Sequence, residues 1–250
     1  MHGIWPAIST PCDELEPMHS QVFPRFTNTL ARAMVFGIVP LIAALVWVPY
    51  TIMRSPFATG VGVAYEQPVP FSHARHVRSD EIDCRYCHTS VETSSFAGMP
   101  PTETCMHCHS QIGAQAPVLA PVRDSFQTGQ PLAWKCVSTL PAYVHFNHSI
   151  HVYKGVGCVT CHGRVGLMVP PEQKFPLESR IPVIWQAKPF TMEWCLTCHR
   201  HPEKFIRPRE YVFNMEWQPP GDQETLGRKL VEQYKIQDAR SLTTCSTCHF

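Results

Sequence analysis

The stretch FNHSIHVYKGVGCVTCHG, residues 146–163, decides how this chain folds. It holds two histidines three residues apart, His148 and His151, and then Cys158-x-x-Cys161-His162. Cys-x-x-Cys-His is the attachment signature of haem c: the two thiols add across the vinyl groups of one porphyrin, and the adjoining His lies under the iron as proximal ligand. Histidines three apart on a helical turn project about 60° from each other. They can reach two different irons, but not the two axial positions of one.

Working outward, the attachment motif occurs five times. The other four are Cys84, Cys87 and His88; Cys105, Cys108 and His109; Cys195, Cys198 and His199; and Cys245, Cys248 and His249. Ten of the 12 cysteines are used in this way, leaving Cys12 and Cys136 as ordinary small thiols. The histidine pair also recurs, as His73 and His76 in FSHARHV, residues 71–77. The chain therefore contains a repeated module of two distal histidines followed by two attachment motifs. Four haems, those at Cys84, Cys105, Cys158 and Cys195, are expected to be bis-histidine. The fifth, at Cys245, has no such partner nearby, and His107, His145, His201, Met99, Met168, Met192 and Met215 are all candidates for its distal ligand.

A zinc ribbon is the competing reading, because Cys84, Cys87, Cys105 and Cys108 are spaced C-x2-C-x17-C-x2-C. Ten thiols divide badly among four-ligand sites, and a His follows all five pairs although only 14 of the 250 residues are His. A disulfide framework fails because it gives those histidines no work.

The remaining sequence fits an anchored protein built round its cofactors. Ala33 to Met53, AMVFGIVPLIAALVWVPYTIM, is uncharged over 21 residues and bracketed by Arg32 and Arg54. That length spans a bilayer core, is too long for the apolar part of a cleaved signal, and tolerates Pro40 and Pro49. The expected organisation is a cytoplasmic tail over 1–32, a transmembrane anchor helix over 33–54, and a periplasmic pentahaem domain over 55–250. Flanking arginines lie on both sides and do not orient the anchor, whereas haem c is attached on the outer face of the cytoplasmic (inner) membrane.

With 24 prolines among 250 residues, long regular elements are not expected in the haem domain. The fold class read here is a mainly irregular and α multihaem cytochrome c domain, with short helices packed round five haems, plus one N-terminal transmembrane helix. Gly113 to Pro141 and Pro170 to Pro189 read as loops. Asp222 to Ala239 reads as a helix capped by Asp222, with Leu226, Leu230, Val231 and Tyr234 on one side, covering the fifth haem. A net charge of +1 without a basic stripe excludes nucleic acid as a partner. No nucleophile elbow, phosphate loop or hydride-cofactor fingerprint is present, so the chain reads as an electron wire without its own catalytic site.

The segments FSHARHV, FNHSIHVYKGVGCVTCHG and FTMEWCLTCHR, taken with the anchor, resemble the pentahaem subunit of alternative complex III, a quinol-oxidising respiratory complex. The two histidine modules also resemble class III multihaem cytochromes. The first resemblance implies a membrane complex with iron–sulfur, integral-membrane quinol-binding and monohaem cytochrome subunits. Electrons would come indirectly from quinol and pass to a soluble cytochrome c or copper protein. It further implies Met168, in CHGRVGLM, as the sixth ligand of one haem, with Met192 as runner-up. A self-sufficient membrane-anchored quinol dehydrogenase feeding a periplasmic reductase is the alternative. A small-oxyanion reductase would need a five-coordinate haem, for which only Cys245 is available.

Overall fold

The computed structural model describes residues 23–168 and 184–250. Cys12, most of the 1–32 tail and most of the Pro170–Pro189 loop lie outside them. The chain forms two units, residues 1–52 and 53–250.

The first unit carries an apolar helix, Phe26–Arg54, of 29 residues with no buried position, long and apolar enough to cross a membrane. It begins about two turns before Ala33, as the helix Arg25–Ala33. A π-helical turn, Met34–Ile38, interrupts it just before Pro40. Proline lacks an N–H and its ring crowds the carbonyl four residues back, so a widened turn at that point relieves the clash.

The second unit is helical in short pieces, and among the described residues its only β pairing is three isolated bridges. Each attachment motif is a single turn: Cys84–Cys87, the end of Thr102–His109, Cys158–His162, the second half of Met192–Arg200, and the 3-10 turn Cys245–Thr247. One turn brings thiols three residues apart onto one face, with the His following directly behind.

The aliphatic core is thin. Nine hydrophobic side chains are buried among the described residues, and only Ile206, Leu230 and Tyr234 form a cluster, supported by Val156, Leu226, Val231 and Ile236. So few apolar contacts are too little for a domain of this size, in line with porphyrins supplying the rest of the interior.

Two expectations change. The helix starting after Asp222 runs Gln223–Gln233, with the Asp222 carboxylate accepting from the Thr225 N–H. It stops well short of Ala239 because Lys235 takes φ 50, outside the helical region. A short second helix, Ala239–Leu242, follows. The buried face meets Ile206 and Val156, and Gly227 lies directly against the Glu203 backbone. Gly113–Pro141 is not all loop. Ala120–Thr128 is helical, with Pro121 in the first turn, where no N–H is needed, and Gly129 closing the end at φ 68.

Residues 59–67, early in the second unit, are tied down locally. Val61 bridges Gln186, Ala64 bridges Trp185, the Gln186 amide donates to the Thr59 carbonyl, and the Gln67 amide donates to the Lys135 carbonyl.

Candidate functional site

The two histidine modules build their rings in the same way. In the first, Phe71 stacks on His76 with ring centres 4.5 Å apart and meets His73 edge-on at 4.8 Å. In the second, Phe146 stacks on His151 at 4.4 Å and meets His148 edge-on at 4.8 Å. His76 and His151 each direct Nδ1 to the carbonyl four residues back, Ser72 at 2.9 Å and Asn147 at 2.7 Å. A carbonyl only accepts, so Nδ1 carries the proton and Nε2 presents a free lone pair outward.

Four of the five motif histidines are held by the same device. Nδ1 of His88 faces the Gly98 carbonyl at 2.8 Å, that of His109 faces Ile112 at 2.9 Å, that of His199 faces Leu242 at 2.8 Å, and that of His249 faces Tyr143 at 2.9 Å. A second hydrogen bond of this kind orients a metal-bound imidazole and raises its basicity. No spacing rule reveals these carbonyls, because their positions relative to the histidine follow no pattern.

The rings meet in pairs. His76 and His109 have ring centres 6.0 Å apart, His148 and His162 are 6.4 Å apart and nearly parallel at 8°, and His151 and His199 are 6.2 Å apart. With about 2 Å for each nitrogen–metal bond and about 1 Å from ring centre to nitrogen, an ion held between two imidazoles keeps their centres about 6 Å apart. The fourth module histidine, His73, is held neutral, its pKa lowered to about 4 by burial and then by His88, His76 and His162. Burial, followed by His148 and His88, lowers His162 to about 4 as well. Neutral imidazole is the ligating form. The ring spacing, the Nδ1 tethers and the enforced neutrality all fit a six-coordinate haem iron.

Burial holds several of the thiols neutral too. Burial, followed by the neighbouring Cys84, pushes Cys158 up to about 12; burial, with Cys198 first among its neighbours, pushes Cys161 up to about 12. Cys198 is raised to about 11 by burial and by Cys195. Among the described residues no three of His, Cys, Asp and Glu gather as a metal cage.

At the fifth motif the His145 N–H donates to the Cys248 carbonyl at 2.8 Å, and its ring stacks on Phe250 at 4.3 Å. The other candidates for that haem are scattered. His107 hydrogen-bonds the Tyr86 hydroxyl at 2.9 Å, and His201 faces Glu203 at 3.3 Å. Met99 and Met192 are exposed, while Met215 lines a cavity of about 200 Å³ with Arg207 and Trp217. Met168 is buried beside the third motif, its Cε close over Gly163. Cys136 is exposed.

The chain also has relatives among known proteins. Residues 144–250, which carry the third, fourth and fifth motifs, match the family described as cytochrome c7 and related cytochrome c. The chain is 37% identical over 98 residues to the menaquinone reductase multiheme cytochrome c subunit of Nitratidesulfovibrio vulgaris. That stretch is 39% of this chain and 46% of the relative, so less than half of the relative's length is matched. Haem c attachment in a multihaem arrangement is thus supported independently of the ring geometry.

Proposed function

We propose that this chain is the five-haem electron-transfer subunit of a quinone-linked membrane complex. Cys84/Cys87, Cys105/Cys108, Cys158/Cys161, Cys195/Cys198 and Cys245/Cys248 each attach one haem, with His88, His109, His162, His199 and His249 as proximal ligands. His73, His76, His148 and His151 are distal ligands, and the resemblance alone adds Met168 as sixth ligand of one haem; Met168 lies beside the third motif, whereas the motif left without a distal histidine is Cys245–His249. The observation that carries this reading is the set of three ring pairs near 6 Å, each joining a module histidine to a motif histidine.

Bound haem supplies a one-electron iron couple. The protein's part would be to hold the ligating imidazoles in place, through the Nδ1–carbonyl bonds and the phenylalanine clamps. Where two histidines would hold one iron, a rigid ligand set would keep reorganisation small and leave no open position for substrate, which suits a relay. The apolar helix anchors the chain in the cytoplasmic membrane, with residues 55–250 on the periplasmic side.

Resemblance to alternative complex III favours quinol oxidation by partner subunits, with electrons leaving to a periplasmic cytochrome or copper protein. A second reading is favoured by the relative's name, menaquinone reductase, in which the same relay delivers electrons to menaquinone. A stand-alone quinol dehydrogenase is the third. One comparison separates them: haem reduction by a menaquinol analogue, and haem oxidation by a menaquinone analogue, in the isolated holoprotein and in the gently extracted complex. Reduction only in the complex is expected. Rapid reduction of the isolated chain would make it a dehydrogenase in its own right, and rapid oxidation by menaquinone would reverse the direction of flow. Met168→Leu should abolish a methionine–iron spectral signature from one haem; an unchanged spectrum removes Met168 from the ligand set.

A further inference from the structure

We infer that the five attachment motifs form one line whose spatial order differs from their order in the chain: second, first, third, fourth, fifth. Its ends are then the Cys105–His109 and Cys245–His249 motifs. The inference rests on the five-haem reading and concerns what that reading leaves open, namely which haems are neighbours.

Four junctions carry it. The second and first motifs are joined through Tyr86, whose hydroxyl lies 2.9 Å from His107 Nδ1. The distal histidines of this pair, His76 and His73, sit on one turn, so the haems they serve must adjoin.

The first and third motifs meet although the second separates them in sequence. The Arg85 guanidinium lies 4.6 Å from the Phe213 ring centre, and the carbonyl of the preceding Val212 accepts from the Cys158 N–H at 3.1 Å. The loop between His88 and Gly98 reaches the same place, since the Ser95 carbonyl accepts from His148 Nδ1 at 2.8 Å and the Ser94 carbonyl accepts from the Ser149 N–H at 3.1 Å.

The third and fourth motifs share the second module's turn, with His148 facing His162 and His151 facing His199. The fourth and fifth are joined where His199 Nδ1 donates to the Leu242 carbonyl, three residues before Cys245, and where the helix Ala239–Leu242 packs against Met192–Arg200. An electron crossing the domain follows this line, one iron oxidised as the next is reduced, with no atom transferred. The first motif in sequence is an interior station, and the second is a terminus.

Removing haems one at a time from the full chain in its membrane complex tests the order. Haem per polypeptide is counted first in the unaltered protein, and a count below five would break the functional reading rather than the order. In Cys105→Ala/Cys108→Ala, the magnetic interactions among the four remaining oxidised haems should persist as one coupled set. In Cys84→Ala/Cys87→Ala, one haem should become magnetically isolated. The reverse pattern, with isolation on losing the Cys105 haem and continuity on losing the Cys84 haem, is what chain order requires and would overturn the inference. If either variant fails to fold, His76→Met and His73→Met keep all attachments and shift one potential each. His76→Met should then alter the interaction of one neighbouring haem, and His73→Met those of two. A response of the Cys158 haem to His76→Met would sink the order.

Discussion

The two histidine modules show the same ring geometry on different backbones. The second is wound as an α-helix, His148–Tyr153, started by Asn147. The first is wound as a π turn, Ala74–Ser79, starting after His73. Phenylalanine-to-histidine distances nevertheless agree within about 0.1 Å between the copies, as does the Nδ1 bond to the carbonyl four residues back within about 0.2 Å. The ring cluster, not the helix type, is therefore the unit that is repeated. What differs is anchorage. In the second copy His148 is tied by its Nδ1 to the first module's loop and Gly155 is wedged against the Arg207 backbone; the place equivalent to Gly155 in the first copy is Asp80, an ordinary turn residue at φ −97.

This asymmetry predicts unequal responses. The largest is to loss of attachment. Cys158→Ala/Cys161→Ala removes the haem whose thiols are the more deeply buried, in the middle of the second module. It should cost an amount comparable with the whole stability of a domain, about 5–15 kcal/mol, and leave the 53–250 unit open to limited proteolysis. Cys105→Ala/Cys108→Ala, at the periphery where Cys108 is exposed, should lose one haem and remain resistant. Equal sensitivity of both variants would break the comparison. Next comes Gly155→Ala. Its Cβ would run into the Arg207 carbonyl and lie 3.0 Å from the Tyr234 ring, on a backbone at φ 82 that L-residues avoid. Overpacking and strain together should cost about 3 kcal/mol, roughly 6–12 °C in Tm, read by thermal unfolding of the holoprotein. Asp80→Ala in the first copy should shift Tm far less, since its ion pair with Arg75 is largely exposed.

Much of this is legible in the amino-acid sequence. Cys-x-x-Cys-His states its chemistry in three residue identities, and the His-x-x-His pairs can be counted against the motifs. The long apolar helix follows from length and composition. Partnership between rings is not legible, because it depends on contacts such as Ser95 to His148 and Val212 to Cys158 that join segments far apart in sequence. The π winding at Ala74–Ser79 and the early stop at Lys235 are hidden for another reason: periodicity reports which face is apolar, not how one turn closes. Gly113–Pro141 misleads because Pro and Gly suggest loop, yet Pro121 and Gly129 stand at the two ends of a helix, where each is favoured.

The smallest expected effect sharpens the comparison most. Asn147 Oδ1 accepts from the Ile150 N–H at 3.3 Å and from the Ser149 hydroxyl at 2.7 Å, so it caps an α-helix that carries both histidines of the module. Ser72 Oγ makes the corresponding bond in the first copy, accepting from the Arg75 N–H at 3.1 Å. Asn147→Ala removes a helix cap and should cost about 1 kcal/mol. Ser72→Ala removes one bond from a turn that the Phe71 stack and the His76–Ser72 carbonyl bond already define, and should cost about 0.5 kcal/mol, the low end for a single hydrogen bond. Neither change touches a ring, so the spectra of the His109 and His199 haems should be unaltered in both variants. If Asn147→Ala shifts the His199 haem spectrum, the helix in the second copy is positioning the ligand after all, and the ring cluster is not self-sufficient there.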